Sequence, residues 1–235
     1  MYVKVILRER IKRAPTVESF RFAVEEKISF LPGQFCQVIF DEKNPSDKEL
    51  NKFLSLSSSP TKDYLEVTKR LSESRFSQKL DSLKPKDEVL LKIPLGTCIF
   101  KDEYKRVIFL IGGIGITPVA SIIEYIMDKN LDTDVTLVYS NGREEEIAFK
   151  KELDAWQKIN KNLKVFYTVT ELAPKDKTIL YSRINKDVLS KNVCDVPACV
   201  NFIFGPPKMV EAMENLCLEL GCCKDNVKTE KFIGY

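Results

Sequence analysis

The stretch Ile111–Pro118 reads IGGIGITP and sits between an apolar run, VIFL at 107–110, and a helical pattern, VASIIEYIM at 119–127. A strand, a glycine turn and a helix in that order make a βα unit, and its glycines let the backbone turn tightly and let a flat ligand approach. The ordinary dinucleotide fingerprint G-x-G-x-x-G does not fit, because Pro118 takes the place of the third glycine. The second strand of the unit closes on Ser140-Asn141, where that fingerprint would have an acidic residue. Taken alone, the turn is equally well a structural connection.

Downstream the βα rhythm continues. DVTLVYS is followed by EEEIAFKKELDAWQKI, LKVFYTVT by a shorter helix at 186–191, and NFIFG by PKMVEAMENLCLEL, with a last strand near NVKTEKF. Apolar strands alternating with amphipathic helices predict a parallel sheet covered on both faces, occupying residues 101–235. Upstream the pattern differs. YVKVILRERI, SFRFAVE, LPGQFCQVIF, FLSLSSS, YLEVTKR and EVLLKI are short and rich in β-formers, with turn residues between them. They predict a small antiparallel β-barrel over residues 1–100. One helical turn interrupts it at SRFSQKLDSL, where Phe76, Leu80 and Leu83 share a face.

Composition narrows the chemistry. With 235 residues the chain has room for two modest cores, and a net charge of +3 without a dense Lys/Arg run gives no argument for nucleic acid. The absence of histidine removes His-based acid/base catalysis and most metal chemistry. Seven cysteines form neither a disulfide framework nor a zinc or iron–sulfur pattern, so no metal site is expected and free thiols in a reducing cytoplasm are. The opening MYVKVILRERIKRAP does not read as a signal peptide. The uncharged run 107–123 falls short of the ~20 residues of a membrane span and holds glycines and a proline, so no span is expected.

Two further segments give the glycine turn its context: FGPPKM at 204–209, another Gly-Pro turn opening a helix, and the closing TEKFIGY. Together with LPGQF (31–35), KFLSLSSSP (52–60), SRFS (74–77), KPKDEVLLKIPLGT (84–97) and GGIGITP (112–118), their order resembles the ferredoxin–NADP reductase superfamily along essentially the whole chain. That family joins a flavin-binding barrel to a nicotinamide-binding α/β domain. The resemblance implies FAD and NAD(P)H as cofactors. FAD is favoured over FMN by the 74–77 segment, which is similar to the family's diphosphate-binding G-x-x-S.

What the resemblance implies residue by residue follows the motifs. KFLS is similar to R-x-Y-S: Lys52 stands at the arginine that pairs with the diphosphate, Phe53 at the variable position, and Leu54 at the tyrosine that walls the flavin. Ser55 stands at the hydroxyl beside flavin N5. Lysine keeps the charge but not the bidentate fork of arginine. The backbone of Val67, Thr68 and Lys69 borders the flavin, and Ser74, Arg75, Phe76 and Ser77 present helix amides to its diphosphate. Gly112, Gly113 and Gly115 form the nicotinamide-side turn. Thr117 faces the flavin–nicotinamide junction, and Pro118 starts the helix after it. Gly205 and Pro206 line the nicotinamide pocket, Phe204 replaces the family's cysteine, and Tyr235 is similar to its terminal aromatic ring.

Members using NADP carry a Ser-Arg pair after the third strand of the α/β domain; here the stretch is Thr170-Glu171, with Glu144–Glu146 adding negative charge. Glu171 suits a free ribose 2′-hydroxyl, so NADH is preferred, although Arg143 and Arg183 argue for NADPH. The resemblance implies hydride transfer from NAD(P)H to flavin and single electrons onward to ferredoxin, flavodoxin or a cytochrome. Alternatives are a flavin subunit of a larger redox complex, a free-flavin reductase, or a flavin-free nicotinamide-binding sensor. The partner is then an acceptor protein or partner redox subunit.

Overall fold

Six strands build the first sheet, one face of which is turned to an apolar core. The computed structural model describes residues 1–232, so Tyr235 lies outside the described residues. The strands are β1 (Tyr2–Ala14), β2 (Val17–Ala23), β3 (Phe35–Ile39), β4 (Asn51–Ser55), β5 (Tyr64–Arg70) and β6 (Glu88–Leu95). They pair antiparallel in the order β4-β3-β6-β1-β2-β5. An antiparallel bridge between Leu56 and Val67, continued by the Ser57 amide donating to the Glu66 carbonyl at 2.8 Å, joins the two edge strands. Closure removes the exposed edges that an open sheet of this size would carry.

The barrel interior is filled by Val5, Leu7, Phe20, Phe22, Val38, Leu65, Val67 and Leu91. Helix α1 (Arg75–Asp81) plugs it with Phe76 and Leu80, both fully buried, and Leu83 follows at 7% exposure. Outside β2 and β5 a buried polar network replaces apolar packing. Glu66 accepts from Arg13 at 2.9 Å and Arg21 at 2.7 Å, and also from the Ser57 hydroxyl at 2.9 Å. The Thr68 hydroxyl bridges Ser57 and Ser19. Each buried polar atom in this ring has a partner, the condition under which such a network is tolerated.

The second sheet is parallel throughout, in the order β10-β9-β8-β7-β11-β12. Its strands are β7 (Arg106–Gly112), β8 (Asp134–Asn141), β9 (Leu163–Val169), β10 (Leu180–Tyr181), β11 (Val200–Gly205) and β12 (Val227–Lys231). Val107–Ile111 are buried without alternation, as expected for a strand covered on both faces. On one face α4 (Lys186–Asn192) and α5 (Pro207–Glu219) pack Val188, Leu189, Val210 and Met213 against Ile108, Leu110, Val138 and Ile203. On the other, Phe109 stacks on Phe202 at 5.3 Å, and the Tyr167 hydroxyl reaches Asp154 of α3 (Lys150–Ile159) at 2.7 Å. The two-residue β10 is too short to leave a periodic signal in the sequence.

The chain divides into two compact units between Phe100 and Lys101, with one crossing: residues 117–128 group with the barrel. They belong to α2 (Ile116–Asp128). Pro118 is the third residue of α2, not its opening one; proline is accommodated in a first turn because the amide it lacks has no intrahelical partner there.

Candidate functional site

In the first unit, charge and hydroxyls gather beside β4 and β5. Lys69 is 5% exposed and its ammonium donates to the Arg70 carbonyl at 3.1 Å. Burial, reinforced by the positive charges of Lys52 and Arg70, pulls its pKa down to about 8. The neighbouring charges of Lys52 and Arg70 disfavour the charged form of Lys69, and positive side chains gathered in this way favour an anion among them. A few residues on, Ser74 caps α1 with φ −65°, its hydroxyl accepting from the Ser77 amide at 3.3 Å. The hydroxyls of Ser72, Ser74 and Ser77 bond one another at 3.1–3.2 Å. Hydroxyls and helix-start amides beside a cationic cluster suit a diphosphate.

Other residues of the same motifs face elsewhere. Arg75 pairs with Glu49 at 2.8 Å in solvent, and the ring of Phe76 lies in the core 5.3 Å from Phe40. Val67 is also a core side chain, and the Thr68 hydroxyl belongs to the polar ring outside β5. Ser55 is nearly buried and pairs with Phe35 across β3. Leu54 points into the barrel core beside its register partner Cys36. The exposed apolar side chain of this motif is Phe53, 60% exposed, with its ring edge-on to Phe35 at 5.7 Å.

In the second unit, β8 lies on one side of β7 and β11 on the other, so the strand order reverses between β7 and β11. In an open parallel sheet that crevice, beyond the carboxyl ends of the strands, is where ligands bind. The glycine turn leaves β7 there. Gly113 has φ +54°, a left-handed conformation with nothing within 4 Å of a side chain placed on it. A Cβ on Gly115 would stand 2.5 Å from the Phe204 carbonyl oxygen, so the two strand ends meet backbone to backbone. The Tyr139 hydroxyl donates to the Gly113 carbonyl at 3.0 Å and holds the turn. Gly112, Gly113, Gly115, Gly205 and Pro206 are thereby brought together. The Phe204 ring is fully buried 5.8 Å from Phe202, leaving only its backbone at the crevice. Pro207 follows as the first residue of α5.

At the same edge, Arg143 pairs with Glu171 at 3.4 Å, and the amides of Thr170 and Glu171 both donate to the Gly142 carbonyl. The loops after β8 and β9 are thus tied to each other, with the Arg143 guanidinium already facing a carboxylate.

Two residues at these strand ends escaped sequence analysis. Glu230 on β12 is the register partner of Phe204. Its Oε2 is buried without a hydrogen-bond partner, and burial pushes its pKa up to about 7. Asn141, at the end of β8, is 5% exposed and neither side-chain atom of its carboxamide has a partner. Nothing in VKTEKF or YSNG marks these two as different from surface residues; only the burial does. Among the described residues no group of three or more Cys, Asp or Glu is placed to hold a metal ion, and no helix is long and apolar enough to cross a membrane.

Comparison with known proteins agrees with this arrangement. Residues 109–215 match the family described as the oxidoreductase NAD-binding domain. NADH-cytochrome b5 reductase 1 of Mortierella alpina is 26% identical over 230 residues, covering 96% of this chain and 77% of that protein. The flavohem-like FAD/NAD binding domain of nitric oxide dioxygenase from Vibrio cholerae has the same fold, with a TM-score of 0.85 at 18% identity over 98% of both chains. So does the cytochrome b5 reductase domain of Ulva prolifera nitrate reductase, with a TM-score of 0.82 at 21% identity over 99% of this chain and 97% of that one. A closed antiparallel barrel, a parallel sheet with its glycine cradle at the switch point, and these matches lead to one statement: the chain has the two-domain fold of those FAD/NAD-binding reductase domains, and its residues 109–215 match the oxidoreductase NAD-binding family.

Proposed function

We propose that this protein is an FAD-dependent NAD(P)H oxidoreductase that oxidises NADH and hands single electrons to a separate acceptor protein, a cytochrome in preference to ferredoxin or flavodoxin. The observation that carries this reading is the cradle at the switch point, where Gly115 leaves no room for a Cβ against the Phe204 carbonyl and a flat ring can lie on bare backbone. The cationic cluster of Lys52, Lys69 and Arg70 beside the Ser74 and Ser77 hydroxyls supplies the fit for the FAD diphosphate. Residues 1–100 hold FAD and residues 101–235 hold the nicotinamide cofactor in this reading.

FAD supplies the conversion between a two-electron donor and one-electron acceptors, and the protein's task is binding and alignment. Lys52 and Lys69 hold the diphosphate by charge, with Ser74 and Ser77 adding directed donors. The backbone of Val67, Thr68 and Lys69 walls the flavin, and the Ser55 hydroxyl stands beside its reacting edge. Thr117 faces the same junction from α2, while Gly113, Gly205 and Pro206 receive the nicotinamide ring. The stacking role of Tyr235, a residue outside the described ones, is what its motif implies.

NADH is the preferred donor because a 2′-phosphate would meet Glu171 and the three carboxylates of Glu144–Glu146, and the Arg143 charge is already engaged by Glu171. The name of the Mortierella alpina relative points the same way. The seven free thiols, four of them buried, suit a reducing compartment, and cytoplasm is the assigned location. The acceptor is a separate protein or partner subunit.

Anaerobic titration with NADH tests the whole reading: a yellow protein that bleaches and is reoxidised by a cytrochrome-type acceptor is expected. A colourless protein that cannot be loaded with flavin would replace it with the nicotinamide-sensor alternative. Donor choice is read from kcat/KM, which should favour NADH over NADPH by tenfold or more, roughly the 1.4 kcal/mol of one poorly placed charge contact. Glu171→Arg should narrow that ratio, and an unchanged ratio removes Glu171 from donor selection.

A further inference from the structure

Helix α2 carries a polar stripe on an otherwise apolar surface. Thr117, Ser121, Glu124 and Asp128 recur at helical spacing along one face, while the apolar Val119, Ala120, Ile122, Ile123 and Ile126 are buried. Three of the four polar residues grip the segment after β4. The Ser121 hydroxyl donates to the Ser58 carbonyl at 2.7 Å. Glu124 accepts the Ser59 amide at 2.9 Å with one oxygen and pairs with Lys62 at 3.3 Å with the other. Asp128 pairs with Lys62 at 2.9 Å and accepts from the Thr61 hydroxyl.

The partners advance along the chain in the same sense as the helix, from Ser58 opposite Ser121 to Lys62 opposite Asp128. The gripped segment is itself anchored on β5. Ser57 donates its amide to the Glu66 carbonyl at 2.8 Å, and the Glu66 amide donates to the Ser58 hydroxyl at 2.9 Å. Helix α2 is therefore docked on a base that cannot easily yield.

Following this register backward reaches the fourth member of the stripe. Thr117 lies one turn before Ser121, about 6 Å along the helix axis. Ser55, the last residue of β4, lies three residues before Ser58, at most about 10 Å of chain away. The clasp that fixes the rotation and advance of α2 thus directs Thr117 toward the Ser55 end of the same segment. We propose that Glu124 and Ser121 are positioning residues whose grip on Ser58–Lys62 sets the placement of Thr117 against Ser55. This role rests on the assignment of those two residues to the flavin–nicotinamide junction. Glu124 is suited to it chemically: it is largely shielded from water, burial pushes its pKa up, and it satisfies a main-chain amide that would otherwise be left without a partner.

The test compares Glu124→Ala, Ser121→Ala and Glu124→Gln with the parent protein by three measurements. These are the rate of flavin reduction by NADH in anaerobic stopped flow, the NADH Kd from the same titration, and hydrogen exchange at the Ser59 amide in flavin-free protein. The two alanine variants should lose about tenfold or more in reduction rate, because a misplacement of ~1 Å at a reacting pair costs up to ~100-fold. Their NADH Kd should stay within about threefold, and Ser59 exchange should accelerate about tenfold in Glu124→Ala. Glu124→Gln keeps an acceptor for the Ser59 amide and should recover most of the rate.

Accelerated exchange with an unchanged reduction rate in both alanine variants overturns the positioning role and leaves a purely structural contact. Should Glu124→Ala not fold, Ser121→Ala decides alone, since it removes one hydroxyl and keeps the ion pairs. A parent protein that takes up no flavin overturns the functional assignment and this role with it. That result is told apart from a failed clasp by Ser59 exchange, which needs no flavin.

Discussion

Replacing Glu230 by glutamine should make this protein more stable, and by an amount that grows with pH. The carboxyl on β12 is held with a buried, unpartnered Oε2, and burial raises its pKa from 4.5 to about 7. A carboxyl whose pKa is higher folded than unfolded favours the folded state while it is protonated. Its contribution is fully present below about pH 4.5, is lost as pH rises toward 7, and stays lost above that. At about 1.4 kcal/mol for each unit, ionising Glu230 in place costs the folded protein about 3 kcal/mol at pH 8.

Glutamine is nearly isosteric and never ionises, so Glu230→Gln should match the parent near pH 4.5 and exceed it by about 3 kcal/mol at pH 8. For a chain of this size that is a gap in Tm of roughly 6–12 °C. Thermal unfolding of the flavin-free protein and its variant at several pH values between 4.5 and 8.5 reads the gap directly. A gap that stays constant across the window, or parent stability that rises relative to the variant from pH 5 to 8, would refute the reasoning, since the first requires an unshifted, solvated carboxylate and the second one whose pKa the fold lowers.

Two further outcomes follow from the two cradles. Gly115→Ala forces a methyl group to within 2.5 Å of the Phe204 carbonyl, so it should cost about 1–3 kcal/mol in unfolding and weaken NADH binding; wild-type affinity in a well-folded variant would show that the strand ends need not touch. Lys69, with its pKa down at about 8, should lose its charge between pH 7 and 9. Flavin-free protein should then gain stability over that range while FAD affinity falls, and Lys69→Met should flatten both trends in calorimetry and flavin titration; parallel slopes in parent and variant would remove Lys69 from the diphosphate site.

Much of this architecture was legible because its signals are local. The two-residue alternation of EVLLKI and the unbroken apolar run VIFLI each report the burial of one strand from its own residues, whatever that strand pairs with, whereas the alternation of YLEVTKR gave no sign that its polar residues are buried too. The glycine turn was legible locally as a tight backbone turn, because glycine marks a backbone approach that excludes a Cβ, though on its own it read equally well as a structural connection. Motif order then carried the family resemblance.

What the chain could not announce is what depends on partners distant in sequence. Barrel closure rests on one bridge between Leu56 and Val67, and the crevice exists because β11, nearly a hundred residues later, inserts beside β7. Leu54 and Phe53 are both apolar, yet only register with Cys36 and Gln37 decides which enters the core. Glu230 and Asn141 are ordinary polar letters until folding seals them beneath other elements, and Glu124 is a helix carboxylate like any other until Ser59 meets it. Residue identity sets what a side chain can do, but its solvation, and hence its pKa and its unmet hydrogen bonds, belongs to the neighbours that tertiary structure brings.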